Sequence, residues 1–337
     1  MKVLFVGGTG IISSACSRLA LDCGLEVYLL NRGQSQRQAP PGAIHLNGDI
    51  RSPQSARSAL GGLHFDAVVD WIVYTPDQID VDLELFRGRT DQYIFISSAS
   101  AYQTPPAALP VTESTILDNP FWQYSRDKIA CEERLVAAYR TEKFPITIVR
   151  PSHTYDCTLL PCHGGWTVVD RMRRGLPVIV PGDGTSLWTL THHADFARGF
   201  VPLLGNPRAI GESFHITSDE WLNWDQIHQI LAHAAQAPNP RLVHVPSDWI
   251  ARFDPEWGAG LLGDKAHSMI FDNSKIKRLV PDYVATIPFA RGAAEIIAWH
   301  DADPARRQVD AAFNALCDRM VAAAERALTW TNPNFTP

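Results

Sequence analysis

The 337 residues contain no apolar run approaching 18 residues, so the sequence offers no segment able to cross a bilayer as a helix. Met1-Lys2 leads straight into a strand-like stretch instead of a signal peptide, and the expectation is a cytoplasmic protein. Positive charge is in short supply. Thirty Lys and Arg against 36 Asp and Glu give a net charge of -6, which argues against a surface built to hold nucleic acid through its phosphates. The 6 cysteines make no disulfide-like framework: Cys16 and Cys23 fall on one predicted helix, and Cys131 and Cys317 on others. His153, Cys157, Cys162 and His163 are the one tempting ligand cluster. Their spacing fits no zinc pattern and the segment reads as a loop near the active site, so no metal is expected.

What the chain does have starts at its second residue. Val3, Leu4, Phe5 and Val6 make a short apolar run that suits a strand buried on both faces. Gly7, Gly8 and Gly10 follow, and then Ile11, Ile12, Ala15, Cys16, Leu19 and Ala20 recur with a helical period. A helix entered from a glycine turn keeps its first N–H groups, here those of Ile11 and Ile12, at the positive end of its dipole. Such an end holds a pyrophosphate, which makes Gly7, Gly10, Ile11 and Ile12 candidate dinucleotide ligands. A third glycine is missing. The spacing puts Ser13 where helix and strand must pack closely, and the small serine predicts a slightly wider fit.

An acid is missing as well. In a dinucleotide site a carboxylate about 20 residues past the glycines takes the ribose 2′-hydroxyl. Here the second strand, residues 25–30, ends in Asn31-Arg32-Gly33. Neutral Asn31 with Arg32 beside it and Arg37 close by suits a 2′-phosphate, so NADP is favoured and NAD is the alternative. Residues 44–46 read as a third strand followed by Gly48-Asp49-Ile50, where Asp49 and Ile50 can face an adenine. Strands at 65–73 and 93–97, with helical patterns at 53–60 and 76–86, continue the alternation. It predicts an α/β fold with a Rossmann-like, doubly wound parallel sheet.

The fifth strand ends in Ile96-Ser97-Ser98-Ala99-Ser100-Ala101-Tyr102, crowding hydroxyls at the edge of the crevice where such sheets bind ligands. Ser97 is placed there with the cofactor and Ser100 with the substrate. A proline-rich loop at 104–120, of the kind that covers a site, precedes Trp122-Gln123-Tyr124-Ser125-Arg126-Asp127-Lys128 and a long amphipathic helix. Tyr124 and Lys128 stand at i and i+4 and share one helical face. A phenol titrates near 10, too high for a base at neutral pH, and a neighbouring ammonium lowers that value. The phenolate can then take the proton of a substrate hydroxyl while hydride leaves the same carbon for a nicotinamide. Ser98 would hold the substrate oxygen.

These pieces together resemble an extended short-chain dehydrogenase/reductase of the NAD-dependent epimerase/dehydratase branch, over residues 1 to about 300. The likeness rests on Gly7-Gly8-Thr9-Gly10, on Gly48-Asp49-Ile50, on the stretch from Phe95 to Tyr102, and on Tyr124 to Lys128. A sixth strand at 146–149 leading into Arg150-Pro151-Ser152-His153-Thr154-Tyr155 adds to it, as do Pro181-Gly182-Asp183-Gly184 and Asp195-Phe196-Ala197. The resemblance implies that Ser98, Tyr124 and Lys128 are a catalytic trio. It implies also that Lys128 binds the nicotinamide ribose and that the Pro151-Ser152 backbone meets the carboxamide. Members that bind nucleotide sugars continue the Gly-Asp-Gly segment into Arg-Asp-Phe, and that arginine helps hold the substrate. Trp188 stands near its place here, as a similar loss marks the chloroplast stem-loop RNA-binding relatives. His153 and Trp188 are the remaining substrate candidates.

The expected organisation is a dinucleotide domain over 1–165 with returning segments near 177–220, a smaller C-terminal substrate-binding domain over 166–303, and a helical tail over 304–337. Trp221, Trp224, Trp249 and Trp257 read chiefly as packing, and Asn273 as the cap of a late helix. The expected partner is a small sugar-like molecule, with neither membrane nor nucleic acid, and the expected assembly is a homodimer. Epimerisation of a sugar or nucleotide sugar leads, ahead of net NADP(H)-dependent oxidation or reduction and of a cofactor-bound regulatory or RNA-binding role. Dehydration is excluded on residues: 4,6-dehydratases carry an Asp-Glu pair directly after the catalytic hydroxyl, and Ala99 and Ser100 occupy those positions.

Overall fold

Alternate residues of the first strand serve opposite layers. Val3 and Phe5 join one buried cluster and Leu4 and Val6 another, and all four are at 0% exposure, as a strand covered on both faces requires. The structure is a computed structural model and describes residues 1–34 and 37–329. It divides into two compact units, the first made of Met1–Asp156, Thr189–Glu220 and Ile270–Ile287, the second of Cys157–Trp188, Trp221–Met269 and the C-terminal segment from Pro288.

In the first unit β1 (Lys2–Val6) enters α1 (Ile11–Asp22), and β2 (Glu26–Asn31), β3 (Ile44–Asn47), α2 (Pro53–Leu60), β4 (Ala67–Asp70), α3 (Pro76–Phe86) and β5 (Tyr93–Ile96) follow. Next come α4 (Gln123–Glu142), β6 (Ile146–Pro151) and the short β7 (His153–Tyr155). The second unit begins with α5 (Trp166–Arg173), β8 (Val178–Pro181) and β9 (Leu187–Trp188). The chain then returns to the first unit with β10 (Leu190–His192), α6 (His193–Phe200) and β11 (Ser213–Ile216).

Seven strands form the main sheet in the order β11-β6-β5-β4-β1-β2-β3, every neighbouring pair parallel. Read outward from β1, this is the doubly wound order with its switch point between β1 and β4. One face is covered by α1 and α6, whose Cys16, Ala20, Phe196 and Phe200 share a cluster with Val3 and Phe5. The other is covered by α2, α3 and α4 through Leu60, Leu83, Phe86, Cys131 and Leu135. The loop after β5 is pinned at both ends and in its middle. Tyr102 bridges Leu117, Thr104 N–H donates to Asp118 O at 3.0 Å, and Val111 N–H donates to Ile270 O at 2.7 Å.

At the glycine turn the Ser13 side chain is bonded back to the turn itself. Its hydroxyl accepts the Gly10 N–H at 2.7 Å and donates to Gly7 O at 3.2 Å, closing the turn on itself. The close approach of α1 to the sheet is made by Gly8: a Cβ there would lie 2.5 Å from Leu29 and 3.1 Å from the Ser17 hydroxyl. Ser17 completes the contact by donating to Gly8 O at 2.9 Å.

In the second unit β8 pairs in parallel with β13 (Leu242–Val245), and β9 runs antiparallel to β12 (Leu222–Asn223), which α7 (Trp224–Ala234) follows. After α8 (Ser247–Phe253) and α9 (Pro255–Gly260), the first unit takes in α10 (Ser274–Leu279), before α11 (Phe289–Asp301) and α12 (Ala311–Thr329) close the second. Phe313, Leu316, Cys317, Met320 and Val321 of α12 are buried with Val168, Met172, Val178 and Leu261, so the apolar face of the tail is used within its own unit. The nearly fully buried Arg171 fastens it by pairing with Asn314 Oδ1 and Asp318 Oδ1, each at 2.7 Å. Residues 330–337 of the expected tail lie outside the described residues. At α10 the capping bond comes from Asp272, whose carboxylate accepts Ser274 N–H at 2.8 Å, while the Asn273 side chain donates to Thr217 O at 3.0 Å.

Candidate active site

The carboxyl ends of β1 to β4 open onto a cleft of about 800 Å³ within the first unit. Gly7, Gly10, Asn31, Arg32, Asp49 and Ile50 all line it, joined by Thr9, Gln34, Arg37, Arg51, Ile72 and Tyr74. Gly7 has a φ of +85°, and a Cβ on it would sit 2.7 Å from Ile72, so only glycine lets the floor of the cleft come this close. Ile11 and Ile12 begin α1, and Ser14 is the first residue of the turn to return an N–H to a helical carbonyl, that of Gly10 at 3.0 Å. The preceding N–H groups of the helix remain at its positive end, ready for an anion.

Asn31 caps its own turn by accepting the Gly33 N–H at 3.0 Å, which fixes the loop that carries Arg32. The Asp49 carboxylate accepts the Arg51 N–H at 2.9 Å, and the Arg51 guanidinium reaches Ile72 O. Arg37 pairs with the buried Asp156 at 2.6 Å. Three arginines therefore border one cleft, and the carboxylate among its lining residues is Asp49.

Lys128 lies on α4 and is 2% exposed. Its ammonium donates to Val73 O at 2.5 Å and Ile96 O at 2.8 Å, the carbonyls that follow β4 and end β5. Burial drives its pKa down from 10.5 to about 8, and the nearby Cys131, Asp70 and Glu132 only partly offset that. The Lys128 nitrogen is 5.8 Å from the centre of the Tyr124 ring and 4.9 Å from that of Tyr74. Tyr124 packs on Trp122, with ring centres 4.8 Å apart. Two of the lysine's three donors are thus fixed on backbone, and the charge sits beneath the phenol.

Ser98 caps the short turn after β5, accepting the Ser100 N–H at 3.2 Å, and its hydroxyl lies 2.9 Å from that of Ser100. Ser100 is 2% exposed. The Ser97 hydroxyl turns the other way and donates to Glu132 at 2.5 Å, where Arg150 also binds with its Nε at 2.9 Å and its Nη2 at 2.5 Å. Pro151 ends β6 opposite Ile216, and Ser152 donates to Thr189 O at 3.1 Å. Ile11, Ile12, Ser97, Ser98, Ser100, Tyr124, Lys128, Pro151 and Ser152 are not among the residues lining the cleft. His153 begins β7 beside Leu190. Trp188, in the second unit, is 2% exposed and stacks on Trp224 with ring centres 6.0 Å apart. Among the described residues no group of three or more His, Cys, Asp or Glu is arranged to hold a metal ion.

A family model, NAD dependent epimerase/dehydratase family, matches residues 3–217, which span the glycine turn, Ser98, Tyr124 and Lys128. The chain belongs to this family. It is an NAD(P)-dependent epimerase or oxidoreductase of the extended short-chain dehydrogenase/reductase type. Among curated relatives, 2′-dehydrokanamycin reductase from Streptomyces kanamyceticus is 28% identical over 289 residues, covering 84% of this chain and 80% of its own length. Chloroplast stem-loop binding protein of 41 kDa b from Arabidopsis thaliana is 28% identical over 256 residues, 72% of this chain and 65% of its own. Among solved structures, the UDP-glucuronic acid 4-epimerase of Bacillus cereus in complex with UDP-glucuronic acid and NAD superposes with a TM-score of 0.72 at 20% identity. That match covers 90% of this chain and 99% of the other, and it establishes the shared fold.

Family membership leaves several residues of the site to the structure alone. Arg51 and Tyr74 enter the cleft because parallel connections bring the loops after β3 and β4 next to the glycine turn. Behind Lys128 lies a pair of acids that carried no sequence signal beyond an aspartate at a strand end. Burial holds the Asp70 and Asp82 carboxyls above the usual range, and the Tyr93 hydroxyl bonds Asp82.

Proposed function

We propose that this family member is an NADP(H)-dependent oxidoreductase that reduces a ketone of a sugar-like substrate carrying no nucleotide, with Tyr124, Lys128 and Ser98 as its catalytic residues. The observation that supports the catalytic assignment is the buried Lys128 charge, clamped by two carbonyls beneath the Tyr124 ring. In the reducing direction Tyr124 gives its phenolic proton to the ketone oxygen. The Lys128 ammonium stabilises the phenolate left behind, and Ser98 donates a hydrogen bond to the same oxygen. A nicotinamide dinucleotide would supply the hydride when bound, and Gly7, Gly10, Asp49 and Ile50 of the cleft with the first turn of α1 would hold it.

Epimerisation and net reduction both fit these residues, and sequence similarity extending past residue 217 favours reduction. The relative named as a reductase matches over 84% of this chain, well past the residues 3–217 that the family model covers. We assign substrate binding to the second unit. Trp188, standing where nucleotide-sugar members carry arginine, is a buried indole and offers a diphosphate no cation. Arg32, exposed at the rim of the cleft beside neutral Asn31, supports NADP over NAD. The net charge of -6 speaks against a stem-loop-binding role like the one named for the chloroplast relative.

The test uses 2′-dehydrokanamycin as the probe ketone, with reduced cofactor followed by absorbance. The expected result is one NADPH oxidised per ketone and at least a tenfold preference for NADPH over NADH, a difference of only about 1.4 kcal/mol that one exposed arginine can supply. Arg32→Ala should remove most of that preference and leave NADH turnover unchanged. Turnover of a sugar without added cofactor would move the assignment to epimerisation, and NADH preferred by the wild type would reverse the cofactor.

A further inference from the structure

Three serine hydroxyls form a line ending at Ser98. Ser125, the residue after Tyr124 on α4, is at 0% exposure and donates to Ser100 Oγ at 2.8 Å. Ser100 Oγ lies in turn 2.9 Å from Ser98 Oγ. Two further bonds hold the middle member in place: its N–H donates to Ser98 Oγ at 3.2 Å, and Asn119 Nδ2 donates to its carbonyl at 2.8 Å.

The direction of the line follows from counting protons. Ser100 Oγ has a single hydrogen and already accepts one from Ser125. Were Ser98 to donate to it as well, the Ser100 hydrogen would be left without an acceptor at a position that is 2% exposed, a costly arrangement. Ser100 therefore donates to Ser98. Ser98 Oγ then accepts twice, from the Ser100 hydroxyl and the Ser100 N–H, and both bonds come from the same side. Its own hydrogen is left for the half-exposed side, where a substrate oxygen would lie. A donor that itself accepts hydrogen bonds is also a stronger donor.

We propose that Ser125 and Ser100 are positioning residues, a one-way hydroxyl relay that commits the Ser98 proton to the substrate oxygen. This rests on the assignment of Ser98 above. It gives Ser100 a place behind the substrate-holding hydroxyl, where the sequence suggested contact with the substrate. It also links the two groups that meet the reacting oxygen, because the relay starts on the residue next to Tyr124.

The experiment is a double-mutant cycle on NADPH-dependent reduction of 2′-dehydrokanamycin, with NADPH affinity and melting temperature measured alongside. Ser98→Ala should lower kcat about 30-fold and Ser125→Ala about tenfold, with KM and NADPH affinity within about twofold of wild type. The double variant should match Ser98→Ala alone within about twofold, because Ser125 acts only through Ser98. Ser125→Cys keeps the volume but donates weakly, and it should behave like Ser125→Ala. Losses that multiply in the double variant, or a Ser125→Cys enzyme as active as wild type, would overturn the relay while leaving Ser98 in its role. A Ser98→Ala enzyme with full activity, or a wild type silent on this ketone, would withdraw the assignment beneath the relay and the relay with it.

Discussion

Tyr124→Phe should lower the turnover of NADPH-dependent ketone reduction by about 100-fold or more, while NADP affinity stays within about threefold of wild type. A loss of that size is about 2.7 kcal/mol of barrier, the scale of one general acid–base group. The substitution removes a single oxygen. The ring keeps its packing on Trp122 and its approach to Tyr74, at centre distances of 4.8 and 6.4 Å, so the variant should fold and bind cofactor normally. Measured kcat, KM and calorimetric NADP affinity together check the expectation. Full activity in the variant would remove Tyr124 from the chemistry.

Lys128→Met should do more damage if, as proposed, the ammonium serves both phenol and cofactor. Turnover should fall about 1,000-fold and NADP affinity at least tenfold. The pH behaviour adds a signature that simple misfolding would lack. Burial holds the wild-type Lys128 pKa near 8, so the ammonium is largely charged at neutral pH, and turnover should decline as pH rises through about 8. The stability effect has the opposite sign. Between the folded value of about 8 and the ordinary 10.5, the unfolded chain binds more protons at this site than the folded one, so wild-type stability should gain from rising pH across that window. Lys128→Met should lose that gain. A variant that keeps NADP affinity would separate the lysine from the cofactor.

The parts legible in sequence were those carried by local pattern. The apolar run from Val3 to Val6, the glycines after it and the i, i+4 spacing of Tyr124 and Lys128 are short-range features, and the parallel sheet with helices on both faces follows from the alternation of strand and helix. Ser13 shows the limit of a motif. The motif marks its position, but its hydroxyl closes the turn through Gly10 and Gly7, and close packing falls to Gly8. Asn273 is a similar case, with neighbouring Asp272 supplying the cap. Residues brought in by topology left no local signal: Arg51 and Tyr74 reach the cleft from separate loops, and Ser125 reaches Ser100 across 25 positions. Ser97 and Ser98 stand side by side at a strand end, so alternation sends one hydroxyl to buried Glu132 and the other to Ser100.

The central claim is that hydride passes from exogenous NADPH to a ketone carbon while Tyr124 supplies the proton. The most direct measurement is to offer 2′-dehydrokanamycin with NADPH deuterated at nicotinamide C4, in both stereochemical forms, and to locate the label in the product by NMR. The account predicts one deuterium on the new carbinol carbon from one of the two forms, one NADP released per product, and none of this chemistry at a comparable rate with Tyr124→Phe. A product free of label, made without consumption of NADPH, would contradict it.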